Sequence, residues 1–197
     1  MPLDSLDGAH GVAHDGAMDQ ADRDLRLDRI EAELAIRALA ARYCFAIDDH
    51  DLDAVGELFT GDARVWSRDG VMDAQGRAAI VEQYRGRFAV LGPSNHVSHD
   101  HWIRFGDDRD TATGLLSAHA ELYRNETPMV TALRYTDVYR REQRQWRIAE
   151  RQLAFLYYVP LAEYSGILGA TDRMRAYATP ALADYPEGLP GWRDYRP

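Results

Sequence analysis

Four β-forming runs follow one another between residues 95 and 159, separated only by short breaks. They read NHVSHDHWIRF, DTATGLLSAHAELYR, PMVTALRYTDVYRR and QWRIAERQLAFLYYV, with GDDRD, NET and REQRQ between them. Each run alternates and favours β-branched and aromatic residues. Breaks this short join antiparallel neighbours, so the runs predict a four-stranded meander.

The residues ahead of the meander have a helical texture. LDRIEAELAIRALAARYCFAIDDHD carries apolar groups at helical spacing, at Leu27, Ile30, Leu34, Ala38, Ala41 and Phe45. This periodicity predicts the strongest helix of the chain. DLDAVGELFTGD predicts a second, short helix with Asp51 as N-cap and Gly61 past its end. ARVWS predicts a short strand, and AQGRAAIVEQYRGRFAVLG a third helix closed at Gly92-Pro93. Helices first and sheet afterwards make an α+β fold.

Three segments result. Residues 1–24 are small, acidic and poor in large apolar groups, which predicts a mobile tail in which His10 and His14 are solvated. They lack the basic start and apolar centre of a signal peptide. Residues 25–160 form the α+β domain. Residues 161–197 begin as helix and end rich in Pro, Gly and Tyr, suited to cover a cavity mouth or to bind a neighbouring subunit.

A net charge of −9 disfavours phosphate backbones, so no nucleic-acid partner is expected. No apolar run reaches transmembrane length, so no membrane partner is expected either. The single cysteine, Cys44, sits in an apolar helical context and reads as a small core residue. A cytoplasmic location fits these features.

The chemistry concentrates in two places. Asp48 lies near the C-terminal end of the first helix, where a carboxylate faces the negative end of the macrodipole. A helix without a task there would end in Lys or Arg. His96, His99 and His101 fall within six positions of GPSNHVSHDHWIRF. Strict alternation puts His99 and His101 on one strand face and His96 on the other. Neither HExxH nor CxxC is present, so no metal is assigned. A neutral histidine paired with a carboxylate is the more economical device, an effective proton acceptor near neutrality. No nucleophile elbow and no phosphate-cradling glycine loop occurs.

Arg134 sits on an otherwise apolar strand face with Val130, Ala132 and Val138, where a guanidinium needs an anionic partner, structural or substrate. His119 stands between alanines and is a candidate to line a pocket. Tyr43, Trp66, Trp102, Phe155, Tyr157 and Tyr158 are enough aromatics to wall a cavity for a ring-shaped ligand.

ARYCFAIDDHDLDAVGELFTGDARVW, GRAAIVEQY, NHVSHDHWI and LRYTDVYRREQRQWRIAERQLAF together resemble the SnoaL-like family of the nuclear-transport-factor-two-like superfamily, over residues 27 to 158. The resemblance implies a cone: a strongly bent antiparallel sheet wrapped around a pocket, with N-terminal helices closing it. Among the enzymes of that superfamily, the chain resembles hexachlorocyclohexane dehydrochlorinase, scytalone dehydratase and bile-acid dehydratase. It implies an Asp48–His96 dyad, with Tyr43 and Arg134 beside it as catalytic residues. It makes His119 the candidate polar residue from the next strand and gives His99 and His101 no firm role; of the cavity-walling aromatics, Trp66, Trp102, Phe155 and Tyr157 are expected, with His119, as substrate contacts. The implied activity is a cofactor-independent lyase, a dehydratase or related elimination, on a ring-containing apolar small molecule. An isomerase or polyketide-type cyclase would use the same dyad. A ring-hydroxylating dioxygenase small subunit or a ligand-binding module is the non-catalytic alternative. A homodimer or homotrimer is expected.

Overall fold

A computed structural model describes residues 19–195. His10 and His14, and most of the expected tail, lie outside the described residues. Helix α1 spans Gln20–Asp48, so residues 20–24 belong to it and not to the tail. Helix α2 covers Leu52–Leu58, strand β1 Phe59–Ser67, strand β2 Asp73–Gln75 and helix α3 Arg77–Phe88. The meander then runs through β3 (Leu91–Phe105), β4 (Thr111–Arg124), β5 (Thr127–Glu142) and β6 (Gln145–Pro160). A 3-10 helix at Leu161–Gly169 and a short α4 at Pro190–Arg193 follow.

The six strands form one sheet in the order β2-β1-β6-β5-β4-β3. The meander pairs are antiparallel, and β1 lies parallel to β6, so the sheet is mixed and its ends do not meet. β1 leaves α2, whose N-terminus is capped by Asp51 accepting from Ala54 N–H at 2.9 Å, and the short β2 folds back on it as an antiparallel edge. β1 starts at Phe59, which places Gly61 inside the strand and not behind the helix. β3 starts at Leu91, so Gly92 and Pro93 open the strand instead of ending the third helix.

The helical period of α1 is as expected, but the stripe that revealed it faces out. Leu34 and Phe45 are 63% and 69% exposed, and Leu27 and Ile30 are also exposed. The helix buries its opposite side, Ala32, Ile36, Leu39, Tyr43, Cys44 and Ile47. α3 contributes Ile80 and Tyr84 to the same core, which the inner sides of β1 and of β4 to β6 complete.

The last segment is built around an edge. β1 covers β6 only as far as Leu153, which leaves the next backbone groups of β6 without a strand partner. Residues 173–184 supply the missing partners. Asp184 accepts from Phe155 N–H at 2.7 Å, and Tyr158 N–H donates to the Arg173 carbonyl at 2.9 Å. Met174 thereby becomes part of the core, with Tyr177 packed against it. No helix among the described residues is long and apolar enough to cross a membrane.

Candidate functional site

The last turns of α1 carry Tyr43, Ile47 and Asp48 towards β3. The carboxylate of Asp48 accepts three hydrogen bonds: from Ser94 Oγ at 2.7 Å, from the His96 backbone N–H at 2.8 Å and from the His96 ring at Nδ1, 2.6 Å away. Burial pushes the Asp48 carboxyl up, but the bonds from the His96 ring, the His96 backbone and Ser94 outweigh it and hold the group below its usual value. An ionised Asp48 can only accept, so Nδ1 carries the proton, and in the neutral tautomer this selects, Nε2 is the free nitrogen.

His96 lines an internal chamber with Tyr43, Tyr84, Arg87, Phe155 and Tyr158 among its walls. The Tyr43 and Tyr84 hydroxyls meet at 2.7 Å. The enclosed space is about 30 Å³, close to room for one water molecule. Ligand pockets usually measure about 300–1,000 Å³, so a ring-sized guest requires side chains of the wall to swing aside.

Behind Tyr43 stands Arg151, wholly buried, its guanidinium 4.3 Å from the ring centroids of both Tyr43 and Tyr135. It pairs with Asp137 through two bonds of 2.9 and 2.7 Å. Asp137 also accepts from the Tyr139 hydroxyl at 2.6 Å, which leaves that oxygen to accept from His101 Nε2–H at 3.0 Å. His101 Nδ1 then remains a buried acceptor without a partner, and burial pushes the His101 pKa down. This chain of groups sits under Gly114, where an added Cβ would come within 2.8 Å of Tyr139 Cε2 and 3.1 Å of His101 Nε2.

The three histidines are therefore sorted differently from simple alternation. The β3–β4 register shifts between Ser98 and His101, and a bulge there resets the parity of the strand. His96 and His101 both point inward, while His99 points outward and bonds through Nε2 to Nδ1 of His119 at 2.8 Å.

Of the expected site residues, Asp48, His96, Tyr43 and Phe155 meet at the chamber. Five do not. Arg134 is exposed on the outer face of β5, its guanidinium 4.5 Å from the Tyr185 ring centroid. Its apolar strand neighbours Val130, Ala132 and Val138 do not wall the chamber either, so the inner arginine is Arg151, one strand on. His119 is on the outer face with His99. Trp66 alternates outward on β1 beneath Arg64, and Trp102 is 62% exposed beside Arg104. Tyr157 is buried, but in a separate cluster with Ala132, Val159 and Ile167, because the β5–β6 register shifts between Ala132 and Leu133.

Ser94, Tyr84, Arg87 and Arg151 escaped the sequence reading. Tyr84, Arg87 and Phe88 follow Ile80 at helical spacing on one side of α3, a signal that could have found them. A second, open cleft of about 1,060 Å³ lies outside the sheet, between Arg134, Leu156, Tyr185 and Trp192. Among the described residues no three His, Cys, Asp or Glu side chains converge as a metal group would require.

The SnoaL-like domain model matches residues 28–152. No curated protein matches the sequence. Among solved structures, a hexachlorocyclohexane dehydrochlorinase from Novosphingobium barchaimii is similar at 18% identity, with a TM-score of 0.64 over 70% of this chain and 94% of that one. A scytalone-dehydratase-like protein from Novosphingobium aromaticivorans gives 18% identity and a TM-score of 0.62 over 70% and 91%. An NTF2-like protein with a cystatin-like fold from the same organism gives 28% identity and a TM-score of 0.58 over 72% and 92%.

Proposed function

The chain belongs to the SnoaL-like family, and from its inward-facing dyad we propose that it is a cofactor-independent lyase acting on a ring-containing, mostly apolar small molecule. One observation carries this reading. The Asp48–His96 bond of 2.6 Å fixes the ring tautomer on a residue that lines the chamber, and so leaves Nε2 as the base.

The step is an elimination. His96 Nε2 takes a proton from carbon, the C–H electron pair becomes the new double bond, and the leaving group departs with its own pair. Asp48 stabilises the imidazolium that forms. Its carboxylate is held in place by Ser94 and by the His96 backbone, so little reorganisation is needed when charge appears. The Tyr43–Tyr84 hydroxyl pair is the donor that can steady the departing group, and the Arg151 cation behind Tyr43 strengthens that donor. The imidazolium then returns its proton to the leaving group or to solvent, which closes the cycle.

The test is proton exchange in D₂O with a panel of aromatic and alicyclic alcohols, ketones and halides, followed by mass for wild type and His96→Ala. Exchange or elimination that requires His96 supports the reading, and the mass change identifies the leaving group. Exchange without any mass loss would assign an isomerase or cyclase. The closed chamber favours one non-catalytic reading, an accessory subunit or binding module. A larger iron-containing chain that co-purifies with native protein would establish that reading in its place.

A further inference from the structure

One end of the chamber holds cations that make no ion pair with a carboxylate among the described residues. Arg87, on the last turn of α3, lines it, and the one side-chain hydrogen bond it makes among the described residues runs to Met72 Sδ at 3.3 Å. Burial opposes the charge of its guanidinium, and the ionisable groups that act on it most are phenols, foremost Tyr158. Arg124 stands at the same end, 5.6 Å from the Tyr158 ring centroid and 5.0 Å from that of Tyr177, and bonds the Ala176 carbonyl. Asp69, whose charge reaches Tyr177, is already engaged by Ser67 Oγ and Val71 N–H.

The contrast with Arg151 is instructive. There a buried guanidinium is matched by the two oxygens of Asp137. A guanidinium cannot shed its charge, and a thioether is a weak acceptor. Tyr158 adds a donor: its hydroxyl is buried, belongs to a chamber-lining residue and finds no acceptor among the described residues, because the side chain that approaches it, Arg124, can only donate. A cation and an unspent hydroxyl donor at one end of the chamber, in a chain of net charge −9, form a receptor for an anion supplied from outside.

We infer that the substrate carries a carboxylate, held between Arg87 and the Tyr158 hydroxyl while its apolar ring lies towards His96. This rests on the chamber being the substrate site, and it specifies the substrate class as ring-containing acids. The same residues account for the closed chamber. Arg87 folded onto the flexible Met72 occupies space that a guest would take, and an arriving carboxylate draws the guanidinium off the sulfur.

Calorimetry with matched neutral and acidic probes tests the inference without any turnover. The probes are 2-naphthoate against 2-naphthamide and cyclohexanecarboxylate against its amide, at pH 7. The proteins are wild type, Arg87→Gln, Arg87→Lys, His96→Ala and Arg134→Gln, each checked for folding by circular dichroism. The expected result is an acid preference of about tenfold or more in wild type, as a charge-assisted bond of about 1.5 kcal/mol gives. Arg87→Gln abolishes the preference and Arg87→Lys keeps part of it. His96→Ala and Arg134→Gln leave it intact, which separates anion recognition from proton transfer and from the outer cleft. A wild type that binds no acid more tightly than its amide overturns the inference, as does a preference that survives Arg87→Gln. Either result leaves the D₂O exchange test of His96 standing on its own.

Discussion

His96 holds Asp48 twice, through its ring Nδ1 at 2.6 Å and its own backbone N–H at 2.8 Å, across 48 residues of sequence. The double contact ties the end of α1 to the opening of β3. One carboxylate therefore both orients the base and fastens two elements of the fold.

That dual role sets a pH dependence. The Asp48 carboxyl is depressed below its usual 3.8 in the folded chain. A depressed carboxylate adds stability that is present above the unfolded pKa and is lost as pH falls through the folded one. Melting temperature should therefore fall as the pH drops below about 4, and Asp48→Asn should show a shallower fall over the same range. Thermal melts between pH 2.5 and 6 measure the difference in slope, and equal slopes would refute it.

Turnover should respond to the dyad separately from stability. Once a substrate is found, His96→Ala and Asp48→Asn should each lower turnover by about 100- to 10,000-fold, the contribution of one positioned base. Circular dichroism at neutral pH should stay that of the wild type. Full activity in both variants would remove the dyad from the mechanism.

The outer-face residues provide the opposite expectation. His119→Ala and Arg134→Ala should leave turnover close to that of the wild type, since neither side chain lines the chamber and both are exposed on the outer face of the sheet. Steady-state kinetics on the same substrate decides this. A loss of tenfold or more in either would return that residue to the site.

Arg151 and Asp137 lie fully buried as a pair. Asp137→Asn leaves the guanidinium uncompensated in the core, and breaking such a pair costs about 3–5 kcal/mol. Urea denaturation should register the loss directly. An unchanged midpoint would mean that the Tyr43 and Tyr135 rings on Arg151 suffice to hold it.

Gly114 makes room for this network. An alanine there would press on Tyr139 and His101, an overpacking that costs about 1–3 kcal/mol. Its melting temperature should drop, and the paired variant Gly114→Ala with Tyr139→Phe should recover little, because the contact at 2.8 Å is with the ring carbon Cε2 and not the hydroxyl.

The sequence by itself determined the order of helices and meander, the SnoaL-like resemblance, and the placement of Asp48, Tyr43 and His96 in one site. Those features are local or are carried by motif. Helical period, short turns and a helix-terminal carboxylate can each be read within a few residues. What only the tertiary structure decided is which way side chains point. α1 has two faces apolar enough to bury, and the helical period does not say which one meets the sheet; Leu34 and Phe45 went to solvent while Ile36 and Ile47 went to the core. In a strand, one inserted residue inverts every later side chain. The bulge between Ser98 and His101 thus turned His101 inward, and the shift after Ala132 sent Tyr157 away from Phe155. Such bulges are set by how the bent sheet packs against the helices. No alternation along a single strand records them. Arg134 is a different case: β5 alternates without a break, so it lies on the face opposite Leu133 and Tyr135, and only the packed sheet shows that their face, with Arg151 from β6, is the one that meets Tyr43.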